Sequence, residues 1–538
     1  MSELKSEHKT ILKGTFWGIL GSVALKLVSF IYTIFLARFF LPEDIGTFYL
    51  SLSVMYLIAF FGDLGMGTSI GRYVPYFIGK GEKHKVYSLL QISYVYVGIL
   101  SAVLSVALFL AAGTIAAYFK NQDLETAVQY ISLFLFLNSI FGIATSFLGG
   151  LKQFKAQQFV LNLQNVLKLV LAVIMFLIFG ASQHVISASF VFSYAIAAIL
   201  LIFLVKRSCR ELNLQNTKLT FEDQVSILKE VVPFGLTVSL ITSFWVLAIY
   251  VDRILLGHYL DQTAALNISI YTMAISLATL VTVFAGTLTG IFSPVASGLF
   301  GKGDSKQMKE VSVSSMRWSI FLSAPLAVLL IVFPGEILSM FYGSTYAAGA
   351  SVLAIFSFAI FIRNLSSVQA TILASQRILR VELYAAVISF IVNLVLCILL
   401  IPSYGIEGAA IASLISLTLV TLLIDYYSKK LAGFGFSRDV LKPLLAAVLS
   451  FTVLFFFKGY LIALLYSVPQ FSLDNGIIQL LLQKGYKLLV LGVLLVLSCI
   501  SYLFFIMLFK GVHDEDRELA RTALKRVQIT LGFYRDPI

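Results

Sequence analysis

The chain has 538 residues, of which 59% are hydrophobic and only 12% charged, and its mean hydropathy is +0.94. A water-soluble protein of this length cannot hide so much apolar surface, so composition excludes the soluble enzyme classes and points to a polytopic membrane protein. The net charge of +12 is spread over short loops, which excludes a nucleic-acid-binding domain.

Residues 1–13 are charged and lead straight into an apolar stretch without a small-residue cleavage site, so an uncleaved first span is expected rather than a signal peptide. At roughly 20 apolar residues per crossing, the chain predicts fourteen transmembrane helices. Six fall at about 14–38, 45–65, 86–112, 126–149, 156–180 and 184–206. Six more fall at about 231–256, 263–293, 312–333, 347–373, 380–402 and 405–427, and the last two at about 441–465 and 486–509. The expected organisation is a cytoplasmic segment 1–13, an N-lobe 14–207, a cytoplasmic linker 208–230, a C-lobe 231–428, a helix pair within 429–509 and a cytoplasmic tail 510–538. In that tail Leu519, Ala523, Val527 and Leu531 recur at steps of four. The pattern fits an amphipathic helix lying on the inner leaflet, and equally a solvated cytoplasmic helix.

Charge placement supports this topology. With both termini inside, the cytoplasmic segments carry 30 of the 39 Lys and Arg residues, and the outer loops carry only Lys120, Lys458, Lys484 and Lys487. Missing one helix inverts every later loop and destroys that bias.

The two sets of six helices read as copies of one another. Gly79-Lys80-Gly81 recurs as Gly301-Lys302-Gly303, Lys152 and Lys155 as Arg377 and Arg380, and Lys206-Arg207 as Lys429-Lys430, at offsets of 222, 225 and 223. A shift of six helices preserves orientation, so the repeat is parallel. Such duplications suit a transporter that binds its substrate between the halves and works by alternating access.

Polar residues inside the spans mark the candidate site. Ser22, Lys26, Ser29 and Thr33 share one face of the first helix. A lysine this far from either end is costly in lipid, so the stripe is expected to face an internal cavity. Lys168 follows Asn165 in the fifth span, and its counterpart at offset 225 is Asn393. Arg363 lies midway along the tenth span beside Asn364. Asp252 and Arg253 come about 22 residues, roughly 33 Å, into the seventh helix, as an outer-interface pair that either anchors the helix or serves transport. Asp63 and Asp425 lie near helix ends, and with Asp252 they are the candidates for a coupling cation. Lys26, Lys168 and Arg363 make the balance of deep charge cationic, which suits an anionic substrate such as a phosphate-bearing headgroup.

No catalytic constellation stands out. There is no phosphate-cradling GxxxxGK[ST] run, so ATP is not expected to drive the chain directly. Cys209, Cys397 and Cys499 and the five scattered histidines have no metal-ligand spacing. No metal or cofactor is expected, and an ion gradient or the membrane potential is left as the energy source.

Four segments carry a family resemblance. Ala37-Arg38-Phe39-Phe40-Leu41-Pro42-Glu43-Asp44-Ile45-Gly46 resembles the joint between the first two helices of polysaccharide transporters, the oligosaccharide-flippase branch of the multidrug/oligosaccharidyl-lipid/polysaccharide exporter superfamily. Asp252-Arg253-Ile254-Leu255-Leu256-Gly257 is similar to that family's seventh-helix end, and Phe341-Tyr342-Gly343-Ser344-Thr345-Tyr346 to its loop before helix ten. Ile401-Pro402-Ser403-Tyr404-Gly405-Ile406-Glu407-Gly408-Ala409-Ala410 is similar to its joint between helices eleven and twelve.

The resemblance, spanning about 11–510, implies two six-helix lobes around a central cavity and movement of lipid-pyrophosphate-linked sugars from the inner to the outer leaflet. Lys26, Lys168 and Arg363 would attract the diphosphate and Arg253 would meet it on the outer side. The partners implied are a polyprenyl-linked oligosaccharide, membrane lipids and polysaccharide-assembly enzymes. The rivals are a drug/cation antiporter of the same superfamily, which should present deep carboxylates, and a membrane glycosyltransferase or scaffold. An enzyme should carry a large outer catalytic loop, for which only 458–485 is a candidate.

Overall fold

The computed structural model describes residues 2–214, 221–376, 378–466, 476–509 and 511, so most of the expected tail and part of 458–485 lie outside the described residues. Every described element is helical. The first half comprises α1 (Ser2–Phe39), α2 (Pro42–Asp63), α3 (Met66–Gly79), α4 (Lys83–Tyr118), α5 (Asp123–Gly150), α6 (Phe154–Phe179) and α7 (Gln183–Glu211). The second comprises α8 (Phe221–Tyr259), α9 (Ala264–Ala278), α10 (Thr282–Lys302), α11 (Ser305–Val332), α12 (Pro334–Phe341), α13 (Ala350–Leu365), α14 (Ser367–Ser375) and α15 (Leu379–Tyr427). The helices α16 (Leu441–Tyr466) and α17 (Gly476–Leu508) pair with one another and pack on α11.

Thirteen candidate spans are long and apolar enough to cross a membrane, against fourteen expected from sequence. The difference is α15, a continuous run that contains two crossings. Gly405 has φ 54° and ψ −129°, a left-handed conformation suited to glycine, and Pro402 lies just before it. A methyl group on Gly408 would sit 2.5 Å from the carbonyl oxygen of Leu400, so the chain has folded back on itself. Asn393 and Ser413 both reach Asp252, which on a straight helix they could not do across some 30 Å. Counted as a hairpin, α15 restores fourteen crossings.

Three spans are discontinuous. The second expected span ends at Leu64 and Gly65, and the expected loop that follows is the separate helix α3. The eighth is interrupted by a 3-10 turn at Thr279–Val281, and the tenth at Ser366. Each Gly-Lys-Gly of the internal repeat closes the second part of a broken span, α3 in one half and α10 in the other.

The halves meet through backbone-close contacts that only glycine permits. A Cβ on Gly65 would lie 2.1 Å from the carbonyl oxygen of Gly235, just after Pro233 in α8. A Cβ on Gly46 of α2 would lie 1.7 Å from the carbonyl oxygen of Ala265 in α9. These approaches pin α2 to α8 and α9 at opposite ends of the span.

Candidate functional site: a cationic cavity between the halves

A cavity of about 830 Å³ lies between α1 and α6 of the first half and α10, α13 and α14 of the second. Two of the three helix breaks border it. Below the break at Thr279–Val281, Thr282, Gly286 and Thr289 line one wall. Across the break at Ser366, Arg363, Asn364, Ser367 and Thr371 line another. Broken helices concentrate unpaired backbone groups where they face a cavity instead of lipid. Asn364 stabilises one of these breaks from the other, donating its side-chain amide to the Val281 carbonyl at 3.2 Å.

Lys26 and Ser22 enter this cavity from α1, as the polar stripe requires, and Gln158 joins them from α6. Lys26 is partly buried and has no hydrogen-bond or ion-pair partner among the described residues. Arg363 shares the cavity, donates to Ser366 Oγ at 2.8 Å and lies 5.1 Å from the centre of the Trp245 ring. Glu382 on α15 interacts with it electrostatically but does not line the cavity. No described lining residue is acidic, so the cavity carries two cations unopposed within its own walls.

The structure brings Lys26 and Arg363 together, with Ser22 and Asn364, and places the other expected residues elsewhere. Lys168 is buried inside the first half, donating to Asn165 Oδ1 at 3.1 Å and lying 4.5 Å from the Tyr32 ring centre. Ser29 donates to the same Asn165 oxygen at 3.1 Å, and Thr33 pairs with the Tyr342 hydroxyl at 3.1 Å. The polar face of α1 therefore serves three environments in succession: the cavity at Lys26, the Asn165–Lys168 cluster at Ser29, and a contact between the halves at Thr33.

The Asp252–Arg253 pair, expected near the outer interface, is enclosed by protein. Both residues are buried, at 2% and 5% exposure. Arg253 donates to Thr272 Oγ1 at 3.0 Å and to the Ile249 carbonyl at 2.8 Å. Asp252 accepts from the Tyr271 hydroxyl at 2.6 Å, Asn393 Nδ2 at 2.6 Å and Ser413 Oγ at 3.1 Å. Helical rise gives only the pair's depth along α8, and α9 and both arms of the α15 hairpin close around it. Sequence reasoning missed Tyr271 and Ser413, because no periodicity within α8 identifies partners 19 and 161 residues away. A partial signal existed in Asn393, the repeat partner of Lys168. One half thus buries Lys168, and the other buries Asp252 together with Arg253, with Asn393 at the position of Lys168.

The remaining acids are tied to backbone. Asp63 accepts from the Gly67 amide at 3.0 Å at the start of α3, and Asp425 accepts from the Phe436 amide at 2.7 Å and from Gln369 at 3.3 Å.

The cavity is lined by Ser22, Val23, Leu25 and Lys26 of α1, and towards its C-terminal end α1 is in contact with the second half. There Arg38 of α1 donates to the carbonyls of Phe341 at 2.9 Å and Ser339 at 3.3 Å, and also to that of Met340. Phe30 packs edge-on against Phe341, with ring centres 5.0 Å apart. Ser269 and Tyr346 pair at 3.3 Å beside them.

Comparison with known proteins places this architecture. An uncharacterised membrane protein of Methanocaldococcus jannaschii is 22% identical over 493 residues, covering 88% of this chain and 93% of its own. The probable low-salt glycan biosynthesis flippase Agl15 of Haloferax volcanii is 27% identical over 190 residues, 35% of this chain and 39% of its own. A lipid II flippase in its inward closed conformation superposes with a TM-score of 0.67 at 16% identity, covering 91% of this chain and 98% of that one. An inward-facing multidrug resistance transporter of the MATE family, described as belonging to the MOP superfamily, gives 0.60 at 16% identity, over 76% and 94%. At such identities the superpositions establish the shared fold. Residues 35–351 match the family model described as polysaccharide biosynthesis protein, and the chain belongs to that family.

Proposed function

We propose that this chain is a flippase that moves a lipid-(pyro)phosphate-linked oligosaccharide from the inner to the outer leaflet of the cell membrane by alternating access. Both termini would be cytoplasmic, and the chain would serve cell-surface polysaccharide or glycan assembly alongside the enzymes that build and use the unit. The observation that carries this reading is the cavity between the halves, which presents Lys26 and Arg363 with no acidic residue in its described lining. A diphosphate headgroup supplies the opposite charge, and the hydroxyls and amides around the two helix breaks suit a sugar. Family membership and the flippases among its relatives support the same reading. Closure at the Arg38 end and a cavity at the other fit the state that loads substrate from the cytoplasmic side.

Coupling to an ion gradient would use the buried carboxylate of Asp252, whose ring of donors spans three helices. A proton or cation exchanged there alters the packing of the α15 hairpin against α8, an element able to bias the relative position of the halves.

The test follows a fluorescent lipid-diphosphate oligosaccharide between leaflets of proteoliposomes, with an ethidium-type cation as comparison. Lipid movement that is lost in Lys26→Ala, in protein that melts normally, is the expected result. Cation efflux without lipid movement would overturn the reading in favour of a drug antiporter, and unchanged lipid movement in Lys26→Ala would remove that lysine from the site.

A further inference from the structure

A second cleft, of about 750 Å³, lies on the flank of the first half and shares no lining residue with the cavity between the halves. It arises because α5 packs against both α4 and α7 while those two barely touch. Leu137 and Ile140 of α5 form its floor, apolar side chains of α7 form one wall, and Leu90 with Gln91 and two tyrosines of α4 forms the other. Ile199 and Ile202, at 69% and 36% exposure, lie on its open side.

One end of the cleft differs chemically from the rest. Lys206 and Arg210, one turn apart near the end of α7, line it and are exposed, and neither has an ion-pair or hydrogen-bond partner among the described residues. The intervening Arg207 is already paired with Glu211 at 2.7 Å. Tyr94 Oη is buried in the same cleft without a hydrogen-bond partner, and it is close enough to Cys209 of α7 to interact with it electrostatically. A long apolar trough therefore ends in two unopposed cations and an unused hydroxyl donor.

We propose that this cleft binds one anionic diacyl phospholipid from the surrounding bilayer. Its acyl chains lie along the α5 floor, its phosphate sits between Lys206 and Arg210, and Tyr94 Oη donates to a headgroup or ester oxygen. The cleft's volume is that of a small-molecule site, typically about 300–1,000 Å³. Cations at the end of a membrane helix, with their stems on apolar surface, are placed to hold a lipid phosphate. The occupant is a bilayer lipid and not the lipid-linked substrate, because the cleft is lined by α4, α5 and α7 of the first half alone and shares no lining residue with the cavity lined by Lys26.

The test titrates delipidated, full-length protein with phosphatidylglycerol, phosphatidylcholine or a polyprenyl diphosphate, and counts bound lipid by native mass spectrometry. One phosphatidylglycerol should bind in preference to phosphatidylcholine. The Lys206→Gln/Arg210→Gln variant should weaken it about 30-fold, since each basic residue near a membrane surface contributes about a five-fold step. Tyr94→Phe should weaken it by about five-fold, the loss of one hydrogen bond. Lys429→Gln/Lys430→Gln removes equal charge at the repeat-related position of the other half and should leave binding unchanged. The proposal fails if phosphatidylglycerol keeps its advantage in Lys206→Gln/Arg210→Gln, if phosphatidylcholine binds as well, or if polyprenyl diphosphate displaces the phospholipid. A normal melting temperature in these surface variants separates lost binding from lost fold.

Discussion

Replacing Arg38 tests whether the closed end is a latch between the halves. Its guanidinium reaches three successive carbonyls at the end of α12, at Phe341, Ser339 and Met340. The Ser339 carbonyl also accepts the Gly343 amide at 3.1 Å, and a cation at this helix end complements its dipole. Arg38 is exposed, so each bond is taken at the low end of the usual range, about 0.5 kcal/mol. Three such bonds amount to about 1.5 kcal/mol, or a tenfold shift in the closed-to-open ratio. Arg38→Ala should produce that shift, and Arg38→Lys about a third of it on a logarithmic scale, because an ammonium cannot span the three carbonyls. The reporter is Ser269→Cys in a chain lacking the three native cysteines, since Ser269 is fully buried behind this contact. Its rate of reaction with a membrane-impermeant maleimide in proteoliposomes reads the open fraction directly. A rate unchanged by Arg38→Ala would show that the hydrogen bonds do not hold this end closed.

Other outcomes follow from the same geometry. Asp252→Asn keeps the shape but sets an amide N–H₂ against a ring of donors, leaving at least one buried donor unmatched at about 1–3 kcal/mol. The melting temperature in detergent should fall, whereas an unchanged value would mean that the ring rearranges freely. Gly46→Ala places a methyl group 1.7 Å from the Ala265 oxygen, so α2 and α9 must separate. Overpacking of this kind costs about 1–3 kcal/mol, and a crosslink between the two helices should form more slowly than in the parent. Asn364→Leu strips the Val281 carbonyl of its donor at the break between α9 and α10. Hydrogen exchange around 279–282 should then accelerate about tenfold or more, for a loss of about 1.5 kcal/mol, while exchange in α4 stays as it was.

Much of the architecture follows from local composition. Fourteen apolar runs, their short basic loops and the six-helix offset were legible because burial in lipid acts on every residue of a span, and because charge placement depends only on which side a loop lies. Lys26 was legible for the same reason, as a mid-span cation on a polar face has to be accommodated by something other than lipid. Its companionship with Arg363 was not, since 337 residues separate them and only the packing of α1 against the second half makes them neighbours. Lys168 carried the same local signature as Lys26, yet it satisfies its charge with Asn165 and the Tyr32 ring inside one half. For Asp252 helical rise gave only its depth along the helix, and the fold of α15 about Gly405 supplied the partners that enclose it. Sequence determines how each helix must treat the membrane, because that solvent is the same everywhere along the chain. Which polar residues share a cavity and which satisfy one another depends on the crossing of helices distant in sequence, and only the tertiary structure decides it.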